Sequence, residues 1–337
     1  MAAWHSGRGG ASLAVRVRLH PRHAMEPPIR SLHHVTATAD DAQDDLDCYR
    51  SLLGLRLVKQ TVNFDNPGVF HFYYGNEQGL PGTIWTTFPY RDKGVPVGTK
   101  GAGQITVTSF SVPAGALDFW KRRLREAYVP VEDVAPRFGE ESIRFRDASG
   151  LVIELVANDR DERKPWITTE VDGDAAVRGV HSVTMTLRDP APSVAFMTDV
   201  LGFDVVGEEE RRTRLAVNGD APGRTVEIAH VPDAPQAVNG LGTVHHVAFA
   251  ISDAEEQLRV RAELLRLGVQ VTEVRDRQYF RSIYFREPGG VLFEIATVPP
   301  GFTVDESLGD LGRGLKLPPW EEPNRAAIER QLPTVST

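Results

Sequence analysis

The chain repeats itself, and this constrains its fold more than any other feature. Leu32-His33-His34-Val35-Thr36 recurs as Val180-His181-Ser182-Val183-Thr184, a shift of 148 residues. The same shift pairs Leu46 with Val194, Tyr49 with Met197, Leu53 with Leu201 and Gly54 with Gly202. A second stretch, Phe145-Arg146-Asp147-Ala148-Ser149-Gly150-Leu151-Val152-Ile153-Glu154, recurs as Phe285-Arg286-Glu287-Pro288-Gly289-Gly290-Val291-Leu292-Phe293-Glu294, shifted by 140. Two unrelated stretches at nearly one spacing mark a tandem duplication, with the halves joined near residues 160 to 177.

Each half divides again. A strand, a helix and further strands run over 30–90, 103–158, 178–231 and 243–298. The first strands alternate apolar and polar residues in period two. Leu46, Tyr49 and Leu53, then Leu117, Trp120 and Leu124, then Val194, Met197 and Leu201, then Leu258 and Leu265 fall at helical spacing. Gly54, Gly202 and Gly268 stand where those helices should stop, and Asp189-Pro190 and Ser252-Asp253 where two should start. The expected fold is α+β: four βαβββ modules forming two cupped-sheet domains, 29–165 and 175–300. Residues 1–28 read as a disordered tail. They carry Arg8, Arg16, Arg18 and Arg22, and the apolar stretch from Leu13 to Val17 is too short for a secretory signal. The tail is compatible with a start at Met25, and a transit peptide is the lesser alternative. Residues 301–337, with Pro318, Pro319, Pro323 and Pro333, read as an extended arm with one short helix near 325–331.

A formal charge of −8, from 38 basic and 46 acidic residues, argues against a general nucleic-acid partner. No apolar run is long enough to span a membrane as a helix. The single cysteine, Cys48, excludes an intrachain disulfide and a thiolate cluster. It reads as a small core residue and fits a reducing, cytoplasmic setting. Homo-oligomerisation is left open by the sequence.

Ten histidines are present. His71 and His230 are lone residues in strand-like contexts and read as structural. The pairs His33-His34 and His245-His246 each open the first strand of a module. In a strand, neighbours point to opposite faces. His33 then shares a face with Val35 and Ala37, and His245 with Val247, Phe249 and Ile251. The second histidine of each pair, His34 or His246, looks into the cup. Glu294 lies in the last strand of module four between Leu292 and Ala296, where a charge needs a partner. Two imidazoles and one carboxylate on one side of a divalent ion leave open positions, the facial arrangement of non-haem Fe(II) oxygenases; Mn, Zn and Ni are alternatives. The pseudo-symmetric positions in modules two and three are Ser182, Glu154 and either Ile105 or Thr106, so the twin site should be empty.

These motifs, with Gly82-Thr83-Ile84-Trp85-Thr86-Thr87-Phe88-Pro89 and the region from Arg277 to Tyr284, make the chain resemble the vicinal oxygen chelate superfamily over residues 29 to 310. Within it the chain is most similar to hydroquinone-type ring-cleaving dioxygenases. The resemblance implies Fe(II) on His34, His246 and Glu294, a hydroquinone- or catechol-like aromatic substrate, and dioxygen inserted as both atoms. It implies supporting roles at His33, Thr36, His245, Arg277 and Tyr284. Arg277 reads as a partner for an anionic oxygen, Tyr284 as a hydrogen-bond donor and His245 as an acid or base. No nicotinamide or flavin fingerprint is found. Two other classes stay open: a glyoxalase-type lyase or isomerase, which wants more carboxylate about its metal, and a non-catalytic quinone- or drug-binding protein. Both degradation of an aromatic nutrient and quinone detoxification fit.

Overall fold

The computed structural model describes residues 28–337, so all of the expected N-terminal tail but its last residue lies outside them. Four βαβββ modules follow one another. Module one has β1 (Ser31–Ala39), α1 (Ala42–Leu46, prolonged by a π-helical turn over Asp47–Leu52), β2 (Arg56–Asn63), β3 (Asn66–Gly75) and β4 (Ile84–Pro89). Module two has β5 (Gln104–Val112), α2 (Leu117–Glu126), β6 (Val131–Arg137), β7 (Glu140–Arg146) and β8 (Val152–Ala157). Module three has β9 (Gly179–Leu187), α3 (Ala191–Asp199), β10 (Asp204–Glu209), β11 (Arg212–Ala216) and β12 (Thr225–His230). Module four has β13 (Thr243–Ile251), α4 (Ala254–Arg266), β14 (Arg275–Asp276), β15 (Arg281–Arg286) and β16 (Leu292–Thr297).

The strands form two curled eight-stranded sheets, ordered β14-β15-β16-β13-β1-β4-β3-β2 and β10-β11-β12-β9-β5-β8-β7-β6. Each cup is shared between the two halves of the chain. Strand β1 pairs antiparallel with β13, and β5 with β9, so each sheet takes one module from each half. Module one meets module four, and module two meets module three. The ligand pattern had implied that pairing, because the strong donors fall in modules one and four.

From Val35 onward, period-two alternation sorts β1 as expected. Leu32, Val35 and Ala37 enter the main core with Tyr49, Trp85, Phe110, Trp120, Phe249 and Phe293, and that core is continuous across both sheets. Cys48 belongs to it. Helix α2 buries Leu117, Trp120 and Leu124 as its spacing predicts. Helix α4 does not follow the expectation: Leu258 and Leu265 are exposed, and Gln257, Val260 and Leu264 are buried. The Gln257 amide donates to the carbonyls of Arg281 and Ile295, which lets a polar residue take a core position. Gly54, Gly202 and Gly268 adopt left-handed backbone just past their helices.

The arm beyond residue 300 lies along edge strand β2. Lys316 N donates to Gln60 O, and Leu315 bridges Gln60 in parallel, so the arm covers an otherwise unpaired edge. Its short helix, α5 (Arg325–Glu329), falls where expected. Phe302 and Leu311 join Val58, Tyr73, Ile84, Ala248, Tyr279, Phe280 and Ala296 in an apolar cluster inside the first cup. Lys59, fully buried, ties the arm down through Asp305 (2.6 Å) and Glu306. Among the described residues, no helix is long and apolar enough to cross a membrane.

Candidate metal centre

His34 on β1, His246 on β13 and Glu294 on β16 come together in the first cup, and all three are buried. Adjacent strands explain the convergence: Thr36 pairs with His246, and Ala248 pairs with Glu294. His34 Nε2 lies 3.2 Å from His246 Nε2 and 3.4 Å from Glu294 Oε2, and His246 Nε2 lies 2.8 Å from that oxygen. An ion with bonds of about 2.1 Å needs donors about 3 Å apart on one face of its coordination shell. The triangle fits. Glu294 Oε2 is buried and makes no properly directed hydrogen bond despite its short distance to His246. Its other oxygen, Oε1, accepts from Ser282 Oγ. Burial alone would raise the Glu294 carboxyl, but the His34 and His246 imidazoles outweigh it and hold it well below the usual carboxylate range. Burial lowers His246, against the pull of Glu294. A buried orphan carboxylate oxygen facing two imidazole nitrogens is a donor set for a divalent cation.

The neighbouring histidines fix the tautomers. His33 Nδ1 is 2.9 Å from His34 Nδ1, and His245 Nδ1 is 2.8 Å from His246 Nδ1. With His34 Nδ1 donating to His33 Nδ1, the His33 proton sits on Nε2. His34 Nε2 is then a bare lone pair pointed at the triangle. Such outer hydrogen bonds set the orientation and basicity of metal-binding imidazoles. Burial, then the neighbouring ligand imidazole, lowers both His33 and His245 to about 3, so both are neutral.

Strict alternation had sent His33 and His245 to the helix face. The structure corrects this. The β1–β13 register skips His33 between Leu32 and His34, and skips His245 between His246 and Val244. Each is the extra residue of a β-bulge, which turns a side chain that alternation would hide toward its neighbour. His33 contacts the His34 and Phe280 rings at 5.0 Å each. His245 stays half-buried, 6.3 Å from the Phe88 ring.

The other expected residues lie about the same cup. Thr36 is fully buried and accepts from Thr86 Oγ1 (2.9 Å). Tyr284 pairs with Glu294 across β15 and β16, and its ring lies 5.8 Å from that of His246. Arg277 Nε donates to Tyr284 Oη (3.1 Å), and Arg277 Nη2 meets Asp65 at 3.0 Å. Arg277 therefore bridges modules one and four at the sheet's two ends. Residues not singled out from sequence are Ser282, Asp65, Phe280 and His71. Ser282 could have been found, since it shares a strand face with Tyr284. His71, read as structural, faces the cup beside Tyr73 and Phe88. His230 ends β12 in the other sheet, remote from the triad in topology.

The second cup carries the same bulges, at Thr106 and His181. That register matches His34 with Ser182 and His246 with Val107, not with Ile105 or Thr106. Its carboxylate, Glu154, is saturated by Arg137, Arg144 and Ser109. Arg137 and Arg214 reach Glu227, and Arg214 and His181 reach Glu140, so paired charges fill the space.

The family model described as the Glyoxalase/Bleomycin resistance protein/Dioxygenase superfamily matches residues 31–155 and 179–295. The chain belongs to this superfamily. This superfamily member is 43% identical to MhqO of Bacillus subtilis, provisionally named a ring-cleaving dioxygenase, over 91% of this chain and 97% of the relative. It is 37% identical to the chlorohydroquinone/hydroquinone 1,2-dioxygenase of Sphingobium indicum, over 87% of this chain and 93% of that one. Among solved structures, a provisionally named dioxygenase from Bacillus subtilis superposes with a TM-score of 0.87 at 42% identity, covering 91% of this chain and 98% of that chain. Glyoxalase I of Zea mays shares the fold, with a TM-score of 0.58 at 14% identity over 79% of this chain and 92% of that one.

Proposed function

We propose that this chain is a ring-cleaving dioxygenase that holds Fe(II) through His34, His246 and Glu294 and opens a hydroquinone- or catechol-like ring with dioxygen, inserting both atoms. The observation that carries this reading is the buried triangle of two imidazole nitrogens and one orphan carboxylate oxygen. Neutral imidazoles and a single carboxylate suit Fe(II) better than the carboxylate-rich site of a glyoxalase-type lyase or isomerase. The intact donor set argues against a purely binding role. The named activities of MhqO and of the Sphingobium enzyme support the same reading. The setting we propose is the cytoplasm.

When bound, the metal supplies open positions for a phenol oxygen and dioxygen, and favours the phenolate over the phenol. The protein's residues do the rest. His33 keeps His34 in its ligating tautomer. His245, its Nδ1 accepting from His246, carries its proton on Nε2, where it can donate a hydrogen bond to an oxygen of the substrate. The Tyr284 hydroxyl accepts from Arg277 and is free to donate its own proton to a developing oxyanion. Arg277, pinned by Asp65, orients that hydroxyl and adds positive charge. Thr36 supports the site through its bond with Thr86. Phe280, Tyr279 and Phe302 exclude water on the arm side. Scission is of the extradiol type, beside a hydroxyl-bearing carbon.

Anaerobic loading with Fe(II), followed by a hydroquinone and catechol panel on an oxygen electrode, tests the reading. The wild type should consume oxygen. His246→Ala should lose both iron and oxygen uptake while keeping its fold by circular dichroism. Full iron retention by that variant would refute the ligand assignment.

A further inference from the structure

His71 sits on the cup face of β3. Phe70, Phe72 and Tyr74, its alternating neighbours, enter the main core. Its ring is held between Tyr73 (centroids 4.0 Å apart) and Phe88 (4.2 Å). His71 Nε2 lies 2.9 Å from Thr86 Oγ1, and the Thr86 hydroxyl donates onward to Thr36 Oγ1 at 2.9 Å. Thr36 stands two residues from His34 on the same strand face. A hydroxyl has one proton. Because Thr86 gives its proton to Thr36, it must accept from His71, so the His71 proton is on Nε2. Nδ1 is then a bare acceptor, with no protein partner among the described residues. His71 is only half-buried, whereas His33, His34 and His246 are almost sealed. Burial, then the His34 and His246 imidazoles, keep the ring neutral. That coupling also places His71 within electrostatic reach of the triad.

A rigid, neutral acceptor facing the interior of a cup asks for a guest that donates. The donor triangle takes one phenol oxygen, and His71 stands on other strands, β3 beyond β4, away from that face. We propose that His71 is a specificity-determining residue: its Nδ1 accepts a hydrogen bond from a second hydroxyl at the far side of the aromatic ring, selecting hydroquinone-type substrates over catechols and phenol ethers. The proposal deepens the dioxygenase reading and rests on it for the placement of the first hydroxyl. Catechol puts its two hydroxyls side by side and leaves none for His71. The ether 4-methoxyphenol reaches His71 with an oxygen that cannot donate.

The test uses the full chain loaded anaerobically with Fe(II), as wild type, His71→Phe and His71→Asn, titrated calorimetrically with hydroquinone and with 4-methoxyphenol. Iron content and thermal melts accompany each protein. Phenylalanine keeps the stack on Tyr73 and Phe88 but removes the acceptor; asparagine returns an oxygen near the Nδ1 position. The wild type should bind hydroquinone about tenfold tighter than 4-methoxyphenol, as one hydrogen bond is worth. His71→Phe should bring the two within about twofold, chiefly by weakening hydroquinone, with iron content unchanged. His71→Asn should recover part of the ratio, and it serves alone if the Phe variant misfolds. An unchanged ratio in His71→Phe, or no preference in the wild type, overturns the proposal. His71-dependent hydroquinone binding without oxygen uptake upholds the subsite and sinks the dioxygenase reading. Oxygen uptake with a ratio indifferent to His71 does the reverse.

Discussion

Ser282→Ala removes the hydrogen bond that holds the Glu294 carboxylate. Ser282 Oγ donates to Oε1, both residues are fully buried, and Oε2 is turned to the two imidazoles. A hydrogen bond to a charged group contributes about 1.5 to 3 kcal/mol, and losing it in a sealed site leaves Oε1 without solvent to replace it. Outer-shell partners of metal ligands typically change metal affinity by about 10- to 100-fold, or roughly 1.4 to 2.7 kcal/mol. The two ranges overlap. The carboxylate of the variant can relax by turning Oε1 toward the metal as well, which offsets part of the loss. We therefore expect a fall nearer tenfold than a hundredfold. The assay is anaerobic competition for Mn(II) and Fe(II) against a chelator of known affinity, with melts in the presence and absence of metal. Oxygen uptake should recover at saturating iron. Unchanged or tighter metal binding by a folded variant would show that Ser282 does not hold Glu294 in its ligating pose.

Other predictions concern stability. Asp45 is buried; its Oδ2 accepts from Tyr74 (2.7 Å) and Thr87 (2.6 Å), its Oδ1 has no partner, and burial raises its carboxyl to about 8 against those hydrogen bonds. An acid raised in the fold stabilises fully below its unfolded pKa, near 4, and that stability is lost as pH rises toward 8, at up to about 1.4 kcal/mol per unit. Asp45→Asn should remove this slope, gaining about 2 to 5 kcal/mol on the wild type between pH 5 and 8; parallel melting profiles would contradict it. Lys59→Met strands the buried Glu306 and should cost about 3 to 5 kcal/mol in urea unfolding, with Glu306→Gln added to the same protein restoring most of it; an additive double variant would show that the two do not interact.

The convergence of His34, His246 and Glu294 was legible because ligand chemistry and strand alternation agree at these three residues. The helix-facing placement of His33 and His245 was wrong for a local reason. A bulge adds one residue to one strand and shifts the period of two, and nothing in His-His-Val signals where the extra residue goes. The same bulge blurred the match of His246 to module two, which the register settles as Val107. A single histidine among aromatics carries no pattern, so the hydrogen-bond chain from His71 through Thr86 to Thr36 was not legible in the sequence. On α4, leucine spacing misled because Gln257 finds two backbone carbonyls and takes the buried position. The arm's composition suggested an extended course, but its grip on Lys59 depends on tertiary proximity.

The exchange of modules between the halves bears on the order in which the molecule can be made. His34 leaves the ribosome early, and its strand must wait for β13, about two hundred residues later, before it gains its central neighbour. β16 follows later still with the carboxylate. Modules two and three, consecutive along the chain, can close their sheet first and stand as a platform. The first cup is thus finished last, and a chain cut short between β12 and Glu294 has every strand of the second sheet but not the full donor triangle of the first.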